Sequence, residues 1–195
     1  MRVLVGYESV TGNTRLVAES ITAGIRSTAP GAVARCLHVG RLASEPPAAD
    51  LFVLGGPTHF HWLPGEWTRQ LWVRGVLDAS RRGTGEGHQH LETGAAGPGV
   101  REWLGGLEEI TSAVRLAAVF DTRLDRPLAG GAARRIARDL RRHGYHLIAP
   151  PQEFVVEDLA GPLRAGEADR AWQWGVLLGD LAGQLLHEPG NDPVP

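Results

Sequence analysis

The sequence contains no lysine: all 20 of its basic residues are arginine. That absence excludes a Schiff-base lysine and the lysine of a G-x-x-x-x-G-K-[ST] phosphate loop. Cysteine occurs once, at Cys36, so no internal disulfide can form and a reducing compartment is expected. No apolar run approaches the ~18 residues that cross a bilayer, and no charged-then-apolar leader precedes the first strand pattern. The expectation is a cytoplasmic protein without membrane insertion. A formal charge of −2 supplies no basic surface for nucleic acid or an anionic membrane. The G-x-S-x-G elbow of a hydrolase nucleophile is missing. After the first strand pattern only Gly6 and Gly12 occur, so the dinucleotide fingerprint G-x-G-x-x-G is missing too.

What is present is an alternation of strand and helix patterns. A chain of 195 residues suffices for one α/β domain and is short for two. Val3-Leu4-Val5 reads as a buried parallel strand, apolar on both faces. A helix over 13–27 follows, with Val17, Ile21 and Ile25 spaced by one turn. Residues 32–39 suit an edge strand, in which Cys36 is expected to be an inert core thiol. Leu51-Phe52-Val53-Leu54 is a second buried strand, stopped by Gly55-Gly56-Pro57. Residues 115–120 form the next strand, ending at Asp121-Thr122-Arg123. A helix over 130–143 presents Ala133, Ile136, Ala137 and Leu140 on one face. Its arginines at 134, 135, 138, 141 and 142 are read as a solvated face, with an acidic partner or a 2′-phosphate as the alternative. Tyr145–Ala149 is the last strand, resuming at Phe154 after Pro150-Pro151, and a helix over 167–186 completes the domain, 1–187. The remainder, 188–195, carries no pattern and reads as a flexible tail.

Residues 60–112 break the alternation. Here 64–79 suits a helix, 83–99 is rich in glycine and polar residues, and 100–110 suits a short helix. A loop this long inside one domain is usually functional or disordered. It is read as an excursion from the sheet, able to lid a pocket or supply an oligomer contact. His59, His61, His88 and His90 form two H-x-H pairs, but this spacing fixes no metal geometry and no metal is expected.

The densest chemistry lies at Ser9, Val10, Thr11, Gly12, Asn13 and Thr14, between a buried strand and a helix. Backbone N–H groups and the positive end of the helix converge there, and side-chain hydroxyls and an amide surround the spot. The arrangement suits an anion and needs no lysine or metal. Plain helix capping is the structural alternative, but one cap needs only one such residue. The pattern S-x-T-G-N-T at this place closely resembles the phosphate loop of the flavodoxin family. Gly55-Gly56-Pro57-Thr58-His59 is similar to a second loop of that family, and Asp121-Thr122-Arg123 occupies the place of a third.

The resemblance covers about 1–60 and 113–187. It implies a flavodoxin-like three-layer α/β sandwich with a five-stranded parallel sheet in the order 2-1-3-4-5, and a ligand beyond the carboxyl ends of the strands. It implies FMN, with Ser9, Thr11, Asn13 and Thr14 on the phosphate. The helix dipole would add roughly 0.3–1 kcal/mol. Pro57, Thr58, His59 and Phe60 would wall the ring, with Phe60, Trp62 or Trp67 as a stacking aromatic. Asp121, Thr122 and Arg123 would flank it.

Flavodoxins that carry single electrons are markedly acidic, whereas this chain is nearly neutral. A guanidinium at Arg123 near the N1 edge would favour the anionic reduced flavin. The expected function is therefore an FMN-dependent oxidoreductase, linked to NAD(P)H or a quinone. The alternatives are a one-electron carrier or a flavin-free binding module on the same fold. For Arg123 the structural alternative is an ion pair with Asp121 or Asp125. The expected partners are a redox protein or a small electron acceptor, with a homodimer allowed. No catalytic residue is assigned.

Overall fold

The computed structural model describes residues 1–29, 31–42, 47–58, 65–82, 91–92, 94–108, 115–125, 131–158 and 161–187, with 79–82 described in backbone only. Strand β1 (Arg2–Tyr7) sits inside a parallel sheet, flanked by β2 (Val33–His38) and β3 (Leu51–Pro57). Beyond β3 lies β4 (Arg115–Leu124), and beside β4 lie both β5 (Tyr145–Leu147) and β6 (Gln152–Val156). The order is therefore 2-1-3-4-5, with the fifth position divided between two strands. Pro150-Pro151 supplies the break, because neither residue can donate to the ladder. β5 pairs with residues 115–117 of β4 and β6 with 120–124.

Two strands run further than their sequence patterns suggest. β3 continues through Gly55-Gly56-Pro57, and β4 through Asp121-Thr122-Arg123 to Leu124. These polar residues are ladder members and not a loop, because β6 pairs alongside them. Gly55 stands opposite Phe120 in the register, and a Cβ at Gly55 would overlap the Phe120 ring. The glycine there is a packing requirement.

Helices cover both faces. On one, α1 (Asn13–Thr28) and α5 (Glu167–His187) close over Val3, Val5, Leu51, Val53, Ala118 and Phe120. Phe120, Phe154 and Trp174 meet there edge to face. On the other, α4 (Ala132–Arg142) buries Ala133, Ile136, Ala137 and Leu140 against Phe52, Leu54 and Val119, as the apolar spacing requires. Its arginines face outward or lie half-buried.

The excursion is partly integrated into this second core. Helix α2 (Glu66–Arg82) keeps Trp67, Leu71 and Leu77 exposed. By contrast Ala95, Val100, Trp103, Leu104 and Leu107 are buried, the last four within the core beneath α4. Helix α3 (Val100–Gly105) is shorter than the expected 100–110, since Gly105-Gly106 ends it with Gly106 N–H on the Glu102 and Trp103 carbonyls. Cys36 is half-buried in β2, and burial pushes its thiol up to about 11, so it stays protonated and unreactive at neutral pH. Among the described residues no helix is long and apolar enough to cross a membrane.

Candidate functional site

At the carboxyl end of β1 the chain leaves the sheet where its neighbours lie on opposite sides, the switch point of an open α/β sheet. Glu8 N–H donates to the Gly55 carbonyl at 3.0 Å, the last tie to β3. Gly12 N–H then donates to Ser9 Oγ at 3.1 Å and closes a turn. Gly12 has φ +99°, a left-handed conformation that side-chain-bearing residues rarely adopt. Its carbonyl accepts from Leu16 N–H at 2.9 Å and starts α1. No side chain caps this helix. The capping alternative is thus not what the hydroxyls do: Ser9 serves Gly12, and Thr14 Oγ1 lies 2.8 Å from Thr122 Oγ1 on β4. A hydroxyl pair shares a single hydrogen, so one of the two keeps a proton for a ligand. The first turn of α1 therefore opens on the cleft without a side-chain cap, a setting that suits an anion.

The cleft above this turn contains about 380 Å³, part of it open to solvent. It brings together Ser9, Val10, Thr11, Asn13 and Thr14 from the loop, Pro57 and Thr58 from the end of β3, and Thr122 and Arg123 from β4. Gly12 shapes the turn from beneath. Asp121 does not line the cleft. His59 and Phe60 lie outside the described residues, as do Trp62, His61, His88, His90 and 188–195. Among the described residues no cluster of His, Cys, Asp and Glu could hold a metal.

Thr58 and Asp121 form one unit behind the wall. Thr58 Oγ1 donates to Asp121 Oδ2 at 2.7 Å and accepts from Ala132 N–H at 2.9 Å. Asp121 Oδ2 also accepts from Ala133 N–H at 3.0 Å, and Thr58 N–H donates to the Thr122 carbonyl at 2.8 Å. Together they close the amino end of α4. The Thr58 hydroxyl is therefore committed internally, and the residue offers a ligand its shape more than a hydrogen bond. Asp121 is fully buried, and its Oδ1 has no protein partner among the described residues. Burial pushes its carboxyl up to about 6, helped by the Glu153 charge and opposed by the two hydrogen bonds.

Arg123 lines the cleft, but its guanidinium is not a lone charge. Nη1 bonds Glu153 Oε2 on β6 at 2.9 Å. The ion pair anticipated with Asp121 or Asp125 is thus made with Glu153 instead, and Asp125 pairs with Arg164. The parallel pairing of β4 with β6 places Glu153 beside the end of β4, a neighbour invisible in linear order.

Two cleft features lie outside the sequence-based expectation. Among the described residues the aromatic in the wall is Trp72 of α2, whereas Trp67 of that helix is 73% exposed. Trp72 lies one turn beyond the buried Arg69 and shares its face, a placement that only the folded structure shows. Val156 of β6 is the second addition. Nothing in its local sequence marks it.

No family model and no curated protein matches this sequence. Solved structures do. The chain is similar to a flavodoxin from the domain Archaea, with 17% identity and a TM-score of 0.60 over 96% of this chain and 100% of the other. It is similar to Flavodoxin 1 from Bacillus cereus, at 13% identity and a TM-score of 0.57, covering 94% and 98%. It is also similar to the flavodiiron core of Flv1 from Synechocystis, at 13% identity and a TM-score of 0.56, covering 95% of this chain and 36% of that one. The architecture is an open parallel α/β sheet with a hydroxyl-rich turn at its switch point. Its fold is flavodoxin-like.

Proposed function

We propose that this protein binds FMN, with the phosphate held in the Ser9–Thr14 cradle, and works as a flavin-dependent oxidoreductase. The observation that carries this reading is the uncapped amino end of α1, set behind Gly12 and ringed by hydroxyls. Ser9, Thr11, Asn13 and Thr14 would hold the phosphate by side-chain and backbone donors, with the helix dipole behind them. Pro57 and Thr58 would wall the flavin, and Trp72 is the described aromatic able to pack against it. When bound, FMN supplies one- and two-electron chemistry. The likeness to flavodoxins and a flavodiiron core supports the fold on which such a site is built.

The reading extends to a two-electron reaction with NAD(P)H or a quinone, in the cytoplasm. Arg123 in the cleft supports it, since a cation there favours the reduced, anionic cofactor. One observation favours a second reading, the one-electron carrier: Glu153 offsets the Arg123 charge. Two measurements decide. FMN should bind more tightly than riboflavin by at least tenfold, the worth of about 1.4 kcal/mol of phosphate contacts. A colourless protein with equal, weak affinity for both would leave a flavin-free binding module. Redox titration of the FMN complex should give one two-electron step. Two well-separated one-electron steps would overturn the oxidoreductase reading in favour of the carrier.

A further inference from the structure

We infer that α2 and α3 form a clamp on the Ser9–Thr14 turn and that Arg69 is its positioning residue. Docking of α2 and α3 against the sheet and binding of a phosphate ligand are then one coupled equilibrium. The inference rests on the FMN reading above.

The clamp is built on the residue immediately before the cradle. Glu8 is 1% exposed and Arg69 of α2 is 2% exposed. Arg69 Nη1 donates to Glu8 Oε1 at 3.0 Å, while Glu8 Oε2 accepts from Val100 N–H at 2.8 Å. The same guanidinium donates through Nη2 to Glu102 Oε2 at 2.9 Å. Glu102 in turn accepts from Gly99 N–H and Glu66 N–H, each at 3.0 Å. One set of charges, buried at Glu8 and Arg69 and half-buried at Glu102, therefore fastens the amino ends of α2 and α3 to the chain just before Ser9. It is close-packed: a Cβ at Gly99 would run into both Arg69 and Glu8. A second tie grips the far side of the cradle. Glu92 N–H donates to the Val10 carbonyl at 2.9 Å, and Arg15 Nε donates to Glu92 Oε1 at 2.8 Å.

The energetics make this pairing conditional. Burial raises the Glu8 carboxyl above its ordinary range, and Arg69 and the Val100 N–H offset only part of that rise. Removing Arg69 alone leaves a buried carboxyl group without its counterion, so the group must take up a proton or reach for solvent. If α2 and α3 lift, Glu8 loses the Arg69 and Val100 partners that hold its side chain, and the chain just before Ser9 loses that restraint. The docked state of α2 is also lightly held. Among its residues with described side chains only Arg69 and Val76 are buried, and Trp67, Leu71 and Leu77 face outward. Elements held by few buried contacts are the ones that open locally and respond to ligands. Trp72 lines the cleft from this same helix, so lifting α2 also removes a wall. By linkage, whatever the docked excursion adds to phosphate affinity, the phosphate returns to docking.

The test uses the full chain, FMN, and riboflavin as the probe without phosphate. Amide hydrogen exchange in 66–78 and 100–105 should slow on adding FMN to the unaltered protein, and slow less with riboflavin at equal occupancy. The double variant E8Q/R69M removes the buried pair without leaving a charge at position 8, while Glu102, one-third exposed, keeps its two amide donors and water. It should lose FMN affinity by a factor within the ~5–150-fold range usual for coupled sites, with riboflavin affinity changed less. Unchanged exchange in both helices on FMN binding would overturn the inference, and so would wild-type FMN affinity in a folded E8Q/R69M. The exchange experiment needs no variant, so it decides even where E8Q/R69M does not fold. Failure of the unaltered protein to prefer FMN over riboflavin overturns the FMN reading itself, and this inference with it.

Discussion

Asp121 shows how one side chain changes meaning with its surroundings. In sequence it sits where a ligand-contacting residue would sit, directly after an apolar strand. In the folded protein alternation along β4 sends neighbouring side chains to opposite faces. Thr122 reaches Thr14 and the cleft, and Asp121 turns to the start of α4. Its carboxyl pKa is raised by burial to about 6 from an unfolded value near 3.8. The folded state therefore binds a proton in that window that the unfolded chain releases, and stability from this group falls as pH rises from about 4 to 6. D121N keeps an acceptor for Thr58 and Ala133 and carries no charge. Its stability should lose that fall, so that D121N gains relative to the parent by roughly 1–3 kcal/mol between pH 4 and 8. Urea unfolding at several pH values checks this, and a parallel pH profile for both proteins would refute it. Arg123 was half legible: its place in the cleft follows from position, but its partner Glu153 comes from a strand 30 residues away.

At the scale of elements, α1 and α5 were readable from one-turn apolar spacing alone, to within a residue or two. Their mutual contact was not. Glycines at 24, 175 and 179 let the two backbones approach closely, and a Cβ at Gly175 would meet the Ile21 carbonyl oxygen. A backbone atom cannot step aside as a flexible side chain can. G175A should therefore lower stability by roughly 1–3 kcal/mol, even though alanine is the better helix former by ~1 kcal/mol. Gly183 lies in the same helix with open space around it, so G183A should gain about 0.4–1 kcal/mol. The pair forms an internal control, read as opposite shifts of the urea midpoint with m unchanged. The lengths of β3 and β4 were underestimated for a related reason. Gly55-Gly56 and Asp121-Thr122-Arg123 carry turn-like composition, and only the strands beside them hold those residues extended.

For the whole molecule, a ligand that binds the native state alone raises stability by mass action. FMN at ~100 times its dissociation constant should add about 2.7 kcal/mol. A thermal scan with FMN, riboflavin and neither should rank the three midpoints in that order; superimposable scans would argue against a flavin site. Two cores, one on each face of a single parallel sheet, give the cradle a rigid base. The sequence by itself determined the alternation of strands and helices, and the hydroxyl-rich turn between β1 and α1. Both are local: hydrophobic period and turn chemistry act over a few residues and need no partner. The tertiary structure alone decided what surrounds that turn. It brought Thr122 to Thr14, Glu153 to Arg123, Trp72 to the cleft and Arg69 to Glu8. The Thr122–Thr14, Arg69–Glu8 and Arg123–Glu153 contacts join residues 108, 61 and 30 positions apart. Burial, strand register and charge pairing set them only once the sheet has formed.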